Sequence, residues 1–341
     1  GKLRFTVDVY QKYVKDLLQP KVKMPTTIGY GNGYQISYMN SGKMTNKGWE
    51  FRVDAVPFQN KDWRVGVYFN IAHNENKITE MPDNYIEENY TFGNGNYAYR
   101  REEGRPMGSF YGYRYKGVYQ NKDATYARDI EGNVMKDISG NAIVMRNGSY
   151  TVAPGDAIYE DVNHDGVINQ YDIVYLGNSN PRLTGGAGLN VSYKQFKLSA
   201  IFYGRYGQDV VNATRLNNES MRGIDNQSTA VLRRWRNEGD QTDIPRALYG
   251  EGYNTLGSDR FVEDASYLRL KSLSFTYRLP KKAIQRWGFN NIDVYVTGYN
   301  LFTWTKYTGQ DPEVKTENTY ARDTATTPAS IQLVAGFNLS F

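Results

Sequence analysis

The chain has 341 residues, a formal net charge of +5 from 41 Lys plus Arg against 36 Asp plus Glu, 14% aromatic residues including 30 Tyr, 33 Gly, two His and no Cys. The absence of Cys excludes disulfide scaffolds, thiolate zinc centres, iron–sulfur clusters and cysteine nucleophiles. No apolar run is long enough for a membrane helix, the charge excess is too small for a nucleic-acid footprint, and the aromatic content argues against disorder.

Period-two alternation then predicts strands in chain order. Over 3–10, Leu3, Phe5, Val7 and Val9 share one face and Arg4, Thr6, Asp8 and Tyr10 the other. Over 48–58, Trp49, Phe51, Val53 and Ala55 oppose Glu50, Arg52 and Asp54. A polar turn at 59–62 leads into Trp63, Val65, Val67, Phe69 and Ile71, set against Arg64, Gly66, Tyr68 and Asn70. The pattern returns over 183–193 and, past the turn at Lys194 and Gln195, over 196–203. It recurs over 273–279 and 292–297. The last run places Ile331, Leu333, Ala335, Phe337, Leu339 and Phe341 on one face. No sharp internal repeat is evident.

The connections are unequal. Short ones follow Phe58, Tyr193 and Leu279, the last with a helical turn after Pro280, whereas long ones cover about 74–106, 121–181, 207–264 and 305–329. Short turns at one end and long loops at the other are the habit of outer-membrane barrels, whose strands need only about 9–11 residues and one apolar face. A soluble sandwich would show the same alternation, but loops beyond about 12–15 residues count against it. Trp49, Phe58, Trp63, Trp287, Trp304 and Tyr307 fall near strand ends, as aromatic girdles would. A chain that starts inside a strand is expected to be a piece of a longer protein. Parity requires an even strand number, eight or ten; ten results if 110–119 and a partner before Pro181 also span.

From Asn46-Lys47-Gly48-Trp49-Glu50 onward, a series of motifs appears. It includes Pro154-Gly155-Asp156, the loop 161–172, Asn180-Pro181 before Gly185-Gly186, and Arg234-Trp235 with Asp243-Ile244-Pro245-Arg246-Ala247. Further along are 258–270, Asn300-Leu301-Phe302-Thr303-Trp304, Gly309-Gln310-Asp311-Pro312-Glu313 and the strand ending in Phe341. In this order the series resembles the C-terminal barrel portion of the SusC/RagA-type TonB-dependent outer-membrane transporters of Bacteroidetes, over nearly all of residues 1–341. The resemblance implies an all-β fold: an antiparallel transmembrane β-barrel portion of about 8–10 strands, from a plugged barrel of about 22. It implies that the plug and the N-terminal barrel strands lie outside this chain. It also implies import of oligosaccharides or peptides across the bacterial outer membrane, among its lipids. The implied partners are a SusD-like surface lipoprotein and the TonB–ExbB–ExbD complex, reached through the N-terminal region. The terminal aromatic strand resembles the signal that engages the outer-membrane assembly machinery.

One local motif carries its own chemistry. Asp161, Asn163 and Asp165 stand at positions one, three and five of a calcium-loop template, with Gly166 at six, Val167 offering a carbonyl at seven and Asp172 at twelve. Ca2+ here would brace a loop; an Asx-rich turn held by its own side chains is the alternative. Five aromatics of a long loop, Tyr85, Tyr90, Phe92, Tyr97 and Tyr99, are candidates for substrate contact, because sugar rings and peptides both stack on aromatic faces. Tyr111, Tyr113, Tyr115 and Tyr119 alternate shortly after, open to the same reading or to loop self-packing. With two unaccompanied His and no nucleophile motif, no catalytic site is expected. A non-transporting adhesin or lectin-like protein with a calcium-braced loop is the rival from another class, followed by a secreted β-enzyme.

Overall fold

The structure is a computed structural model that describes residues 2–23, 35–81, 95–98, 101–314, 316–317 and 320–341. Eight long strands form one sheet in strict chain order. They are β1 (Leu3–Val14), β2 (Lys43–Gln59), β3 (Trp63–Glu80), β4 (Leu183–Tyr193), β5 (Phe196–Tyr206), β6 (Tyr267–Arg278), β7 (Asn291–Thr305) and β8 (Gln332–Ser340). Each is antiparallel to the strand before it. No helix among the described residues is long and apolar enough to cross a membrane.

Among the described residues the wall has eight strands, not ten. The segment around 110–119 contributes only two four-residue strands, Ser109–Gly112 and Tyr115–Val118, which pair with Val174–Asn178 and Ala157–Tyr159. Phe110, Tyr111 and Tyr113 are buried there, so the alternation belongs to a packed layer above the sheet and not to a ninth spanning strand.

Alternation becomes two faces once register is known. A cross-strand row runs Phe5, Val53, Phe69, Ala187, Phe202, Leu270, Phe302. Its members Phe5, Phe69 and Phe302 are exposed, as are Val7, Val9, Leu333 and Phe337 on the same side. Such a broad apolar exposure suits a lipid-facing wall and not a face in water. At the short-turn end the row Trp63, Tyr193, Phe196, Tyr277, Val294, Phe337 is mostly aromatic, as an interfacial girdle should be. Ring pairs tie it together, Trp63 to Tyr193 at 4.3 Å and Phe196 to Tyr277 at 4.9 Å. Tyr307, expected in a girdle, is instead buried, and its hydroxyl donates to Asp323 Oδ2 at 2.7 Å.

The short turns are built as the sequence suggests. Asn60 Oδ1 accepts from the N–H groups of Asp62 and Trp63, and a helical turn Lys281–Ile284 follows Pro280. At the other end β2 and β3 run to 17 and 18 residues, well beyond the ~9–11 a bilayer needs. Their excess is polar and points to the loop side. Asn76 bridges it, with Nδ2 donating to Asn46 Oδ1 and Oδ1 accepting from Met107 N, both at 2.8 Å.

The described parts of the long loops contain the main core. Ala98, Tyr111, Tyr113, Tyr119, Ala127, Met145, Val152, Ala157, Tyr159, Ile168, Ile173, Tyr253 and Leu256 form one buried cluster drawn from two separate connections. Tyrosine dominates it. Tyr159 lies 5.5 Å from Tyr113 and 5.4 Å, edge-on, from Tyr253, which in turn stacks on Tyr150 at 5.2 Å. A second cluster joins Tyr97, Phe110, Val211, Leu216 and Phe261, and a third Val210, Ala265, Tyr307, Val314 and Ala321. Three of the four connections on that side, β3–β4, β5–β6 and β7–β8, therefore contribute to one packed cap.

Candidate functional site: the polar wall and its loop cap

The face opposite the lipid side carries Arg4, Asp8, Arg52, Asp54, Tyr68, Asn70, Asn190, Ser199, Ser274 and Thr297, the other parity of the same strands. Its polar groups satisfy one another along and across strands. Arg52 chelates Asp54 with two bonds of 2.8 Å, Ser199 Oγ donates to Asn190 Oδ1 at 2.8 Å, and Ser274 pairs with Thr297 at 2.8 Å. At three places a Tyr lies across the glycine opposite it on the next strand: Tyr10 over Gly48, Tyr68 over Gly188 and Tyr295 over Gly336. A Cβ on Gly188 would sit 2.0 Å from Tyr68 Cε1, so the ring occupies the space a side chain would need. Covering a strand glycine with a cross-strand aromatic returns the packing that the glycine lacks.

Above this wall the cap is held by buried ion pairs. Asp156 is fully buried and accepts from Arg246 Nε at 2.7 Å, Tyr150 Oη at 2.7 Å, Ala153 N at 2.8 Å and Asn254 Nδ2 at 3.2 Å. Gly155 beside it has φ +89°, and a Cβ there would lie 2.3 Å from Trp235 Cε3. Arg246 N donates to Gly155 O at 2.7 Å and Trp235 N to Ile244 O at 2.9 Å. Three short motifs that are separate in sequence, Pro154-Gly155-Asp156, Arg234-Trp235 and Asp243–Ala247, thus meet at one node. Glu219 forms a second node, accepting from Arg215 Nε and from Arg260 Nη2, both at 2.9 Å; Glu219 and Arg260 are nearly buried and Arg215 is half-buried.

A third node joins cap to wall. Arg269, on the polar face of β6 and only 3% exposed, pairs with Asp311 and, at 2.9 Å, with Glu313, while Lys271 reaches Glu313 at 2.7 Å. Burial opposes the charge on Asp311, but N–H donation from Ala329 and Glu313, together with Arg269, outweighs it and holds its pKa below the ordinary value. The roles of Arg246, Asp156, Arg269 and Asp311 were not readable from spacing, because each partner lies tens of residues away. The only signal was that they sit inside short motifs.

The predicted metal loop is in place, but its carboxylates do not converge; among the described residues no three His, Cys, Asp or Glu form a metal cluster. Asp161 Oδ2 accepts from Gly166 N, Asp165 Oδ1 from Val167 N, and Asn163 Nδ2 donates to Asp165 Oδ2, at 2.8, 2.8 and 2.9 Å. The carbonyl of Val167 accepts from Asn169 Nδ2 at 3.1 Å. Asp172 is buried, and its two oxygens accept from Val162 N and Asn169 N at 2.8 Å, the latter as part of a capping box. Burial, and the charges of Asp161 and Asp165, raise its pKa against those two N–H donors. The donor set is all oxygen and no described Lys or Arg forms an ion pair with it, which fits a hard cation in kind.

Of the predicted substrate-contact residues, Tyr85, Tyr90, Phe92 and Tyr99 lie outside the described residues. Tyr97 does not offer a free face. It is 5% exposed, edge-on to Phe110 at 6.2 Å, and its hydroxyl donates to Ser258 O at 2.7 Å, so it is cap core. Tyr111, Tyr113 and Tyr119 are likewise buried, and Tyr115 donates to Asp243 O at 2.6 Å, which leaves self-packing as their role.

No family model matches the chain. The TonB-dependent receptor P3 of Formosa agariphila is 32% identical over 325 residues, covering 93% of this chain and 29% of that protein. The TonB-dependent receptor SusC of Bacteroides thetaiotaomicron is 28% identical over 350 residues, covering 100% of this chain and 30% of that protein. Among solved structures, the RagAB peptide transporter superposes with a TM-score of 0.71 at 28% identity, over 100% of this chain and 34% of the matched chain. The chain therefore spans about a third of the length of these relatives. With one apolar and one polar face on a sequential antiparallel wall, and with similarity along its whole length, the chain is a partial β-barrel of the SusC/RagA-type TonB-dependent receptors.

Proposed function

We propose that this chain is the C-terminal part of the barrel of an outer-membrane importer, completed by further strands and a plug, that takes up an oligomeric nutrient with energy relayed by TonB. The observation that carries this is the two-sided wall under an ordered cap: an apolar exterior, a hydrogen-bonded polar interior and loops locked by buried ion pairs. The cap offers a firm surface for a SusD-like lipoprotein. Both peptides and oligosaccharides suit the reading. RagAB is a peptide transporter, but this chain spans about a third of the matched chain, so the likeness does not fix the substrate class. Nothing favours the adhesin or the enzyme. Uptake of defined glycans and peptides by cells deleted for the gene, then complemented, tests the proposal. Loss of uptake for one class, restored by the full-length gene, is expected; unchanged uptake of every class would remove the import reading.

For the loop 161–172 we propose Ca2+ held by Asp161, Asn163, Asp165, the Val167 carbonyl and Asp172. Burial raises the pKa of Asp172, and repulsion from Asp161 and Asp165 adds to it; a cation would relieve that repulsion, and binding would draw Asp172 away from its N–H partners. Calorimetry of the full-length protein should give heat for one Ca2+ at this loop, removed by Asp165→Ala. No heat, together with no response to chelator, would leave the loop as a self-bonded Asx turn.

A further inference from the structure

One cation on the polar wall has no counter-charge. Along β5 the residues that share the face of Ser199 continue as Tyr203 and Arg205 toward the cap. On β6, Arg269 stands opposite Tyr203 and Tyr267 opposite Arg205. Lys271 falls in the register shift that follows, as the extra residue of a bulge. Rings and cations interleave here. Arg205 lies 5.9 Å from the centre of the Tyr203 ring, Lys271 5.8 Å from the same ring and Arg269 5.3 Å from that of Tyr267. The two rings are 6.2 Å apart. Aromatic faces hold a cation in place but do not neutralise it.

The charges of this cluster do not balance. Arg269 is bonded to Asp311 and Glu313, and Lys271 to Glu313. Arg205 forms no ion pair among the described residues; its Nε donates to Tyr203 Oη at 3.2 Å. Three cations thus share two carboxylates, and the one left over is Arg205. It is half-buried, and a charge drawn partly out of water is normally paired. With Nε spent, its two Nη groups form a flat fork. A second donor is idle as well: Tyr267 is 5% exposed and its hydroxyl has no partner. The strands beside the fork carry short side chains, Thr184 opposite Arg205 on β4 and Ala72 opposite Thr184 on β3.

Resting on the import reading above, we propose that Arg205 takes a carboxylate of the imported oligomer, its two Nη groups on the two oxygens and the Tyr203–Tyr267 pair beside it. One excess positive charge matches one carboxylate, and the flat fork matches its geometry. The site lies where the wall meets the cap, one strand from the Arg269 node, at the end from which cargo enters. That position favours cargo over a carboxylate of the plug. The substrate class is then an acidic oligomer, its carboxylate supplied by acidic side chains of a peptide or by uronic acids of a glycan.

Binding to the full-length transporter in detergent tests this with two pairs of probes: a capped oligoglutamate peptide against its oligoglutamine counterpart, and an oligogalacturonate against its methyl ester. Wild type should bind one acidic probe about tenfold tighter than its neutral counterpart, the low end of what a charged hydrogen bond contributes. Which pair responds tells whether peptide or glycan supplies the carboxylate. Arg205→Met should abolish the difference, and Arg205→Lys, which keeps the charge without the fork, should keep only part of it. Lys197→Met, on the same face of β5 near the short turn, should change nothing. Heat-shifted gel mobility confirms that each variant is folded, and Arg205→Lys keeps the test open if Arg205→Met does not fold. No preference for either acidic probe in wild type, or a preference that survives Arg205→Met, overturns the proposal. So does faster hydrogen exchange in the plug of Arg205→Met with probe binding unchanged, since the carboxylate would then be the plug's. The import reading fails separately, by unchanged uptake in deleted cells while the purified protein still prefers the acidic probe.

Discussion

Replacing Arg246 by Met should loosen the cap while leaving the wall intact. The substitution keeps the aliphatic stem but deletes the guanidinium that donates to Asp156 at 2.7 Å and 3.3 Å. Asp156 then remains fully buried and charged. Removing one partner of a buried pair costs about 3–5 kcal/mol, because the other charge is stranded. Two features lower that figure. Tyr150, Ala153 and Asn254 still donate to the carboxylate, and the Arg246 side chain is 32% exposed, so part of its charge was screened. About 2–3 kcal/mol is left, and local opening becomes roughly 30- to 150-fold more frequent. Hydrogen-exchange mass spectrometry reads this directly, as faster exchange at 150–159, 235–246 and 253–256 with β2–β5 unchanged. Asp156→Asn in the Arg246→Met background should recover part of the loss, since it removes the stranded charge. If exchange at these segments changes less than threefold, or if the double variant is as loose as the single one, the ion pair does not hold the cap.

Gly188→Val should hinder barrel assembly by about 1–3 kcal/mol of overpacking against Tyr68, read as loss of heat-shifted mobility, with Tyr68→Ala restoring it. Arg269→Met should free the 306–331 segment from β6, seen as faster limited proteolysis there, because Asp311 and Glu313 lose their shared cation. The same contact has a defined pH dependence. The Asp311 pKa is lowered in the folded state, so its contribution is complete above the unfolded value near ~4 and disappears as pH falls through the folded value. Protease resistance of this segment should therefore hold from neutral pH to about pH 4 and fail below, and failure near neutrality would contradict the assignment. Asp172 has the opposite sign. Its raised pKa makes its ionised form costly, so Ca2+ affinity at 161–172 should fall on acidification, with protons released on binding at the acidic end.

The wall was legible because each crossing repeats apolar and polar residues at period two. Leu3, Phe5, Val7 and Val9, or Trp63, Val65, Val67 and Phe69, can only be one face of a strand. The ends were less legible. β3 continues through Asn74, Glu75, Asn76 and Lys77, where both faces are polar once the strand leaves the apolar zone, so no alternation marks it. The cap was illegible for another reason. Its strands are two to five residues long and pair across large separations, as when Val174 meets Gly112 or Tyr113 bridges to Ser258. A run such as Tyr111, Tyr113 and Tyr115 then looks like one more crossing. One regularity was missed outright: Asp129-Ile130-Glu131-Gly132-Asn133 recurs as Asp137-Ile138-Ser139-Gly140-Asn141. In both turns the Asp carboxylate accepts from the Asn backbone N–H, at 2.8 and 2.9 Å.

The strict chain order of the eight strands has a consequence for how the molecule comes to be. Every wall pairing joins strands that are consecutive in the wall, two of them through turns of two or three residues and a third through the helical connection at 279–290, so these hairpins can close early with little loop entropy to overcome. The cap depends on contacts such as Asp156 with Asn254, 98 residues apart, and the wall pairing of β3 with β4 joins residues as distant as Ala72 and Thr184. The short-turn hairpins are therefore the staves that local contacts alone can raise, whereas the roof and the seam beneath it both draw on remote parts of the chain.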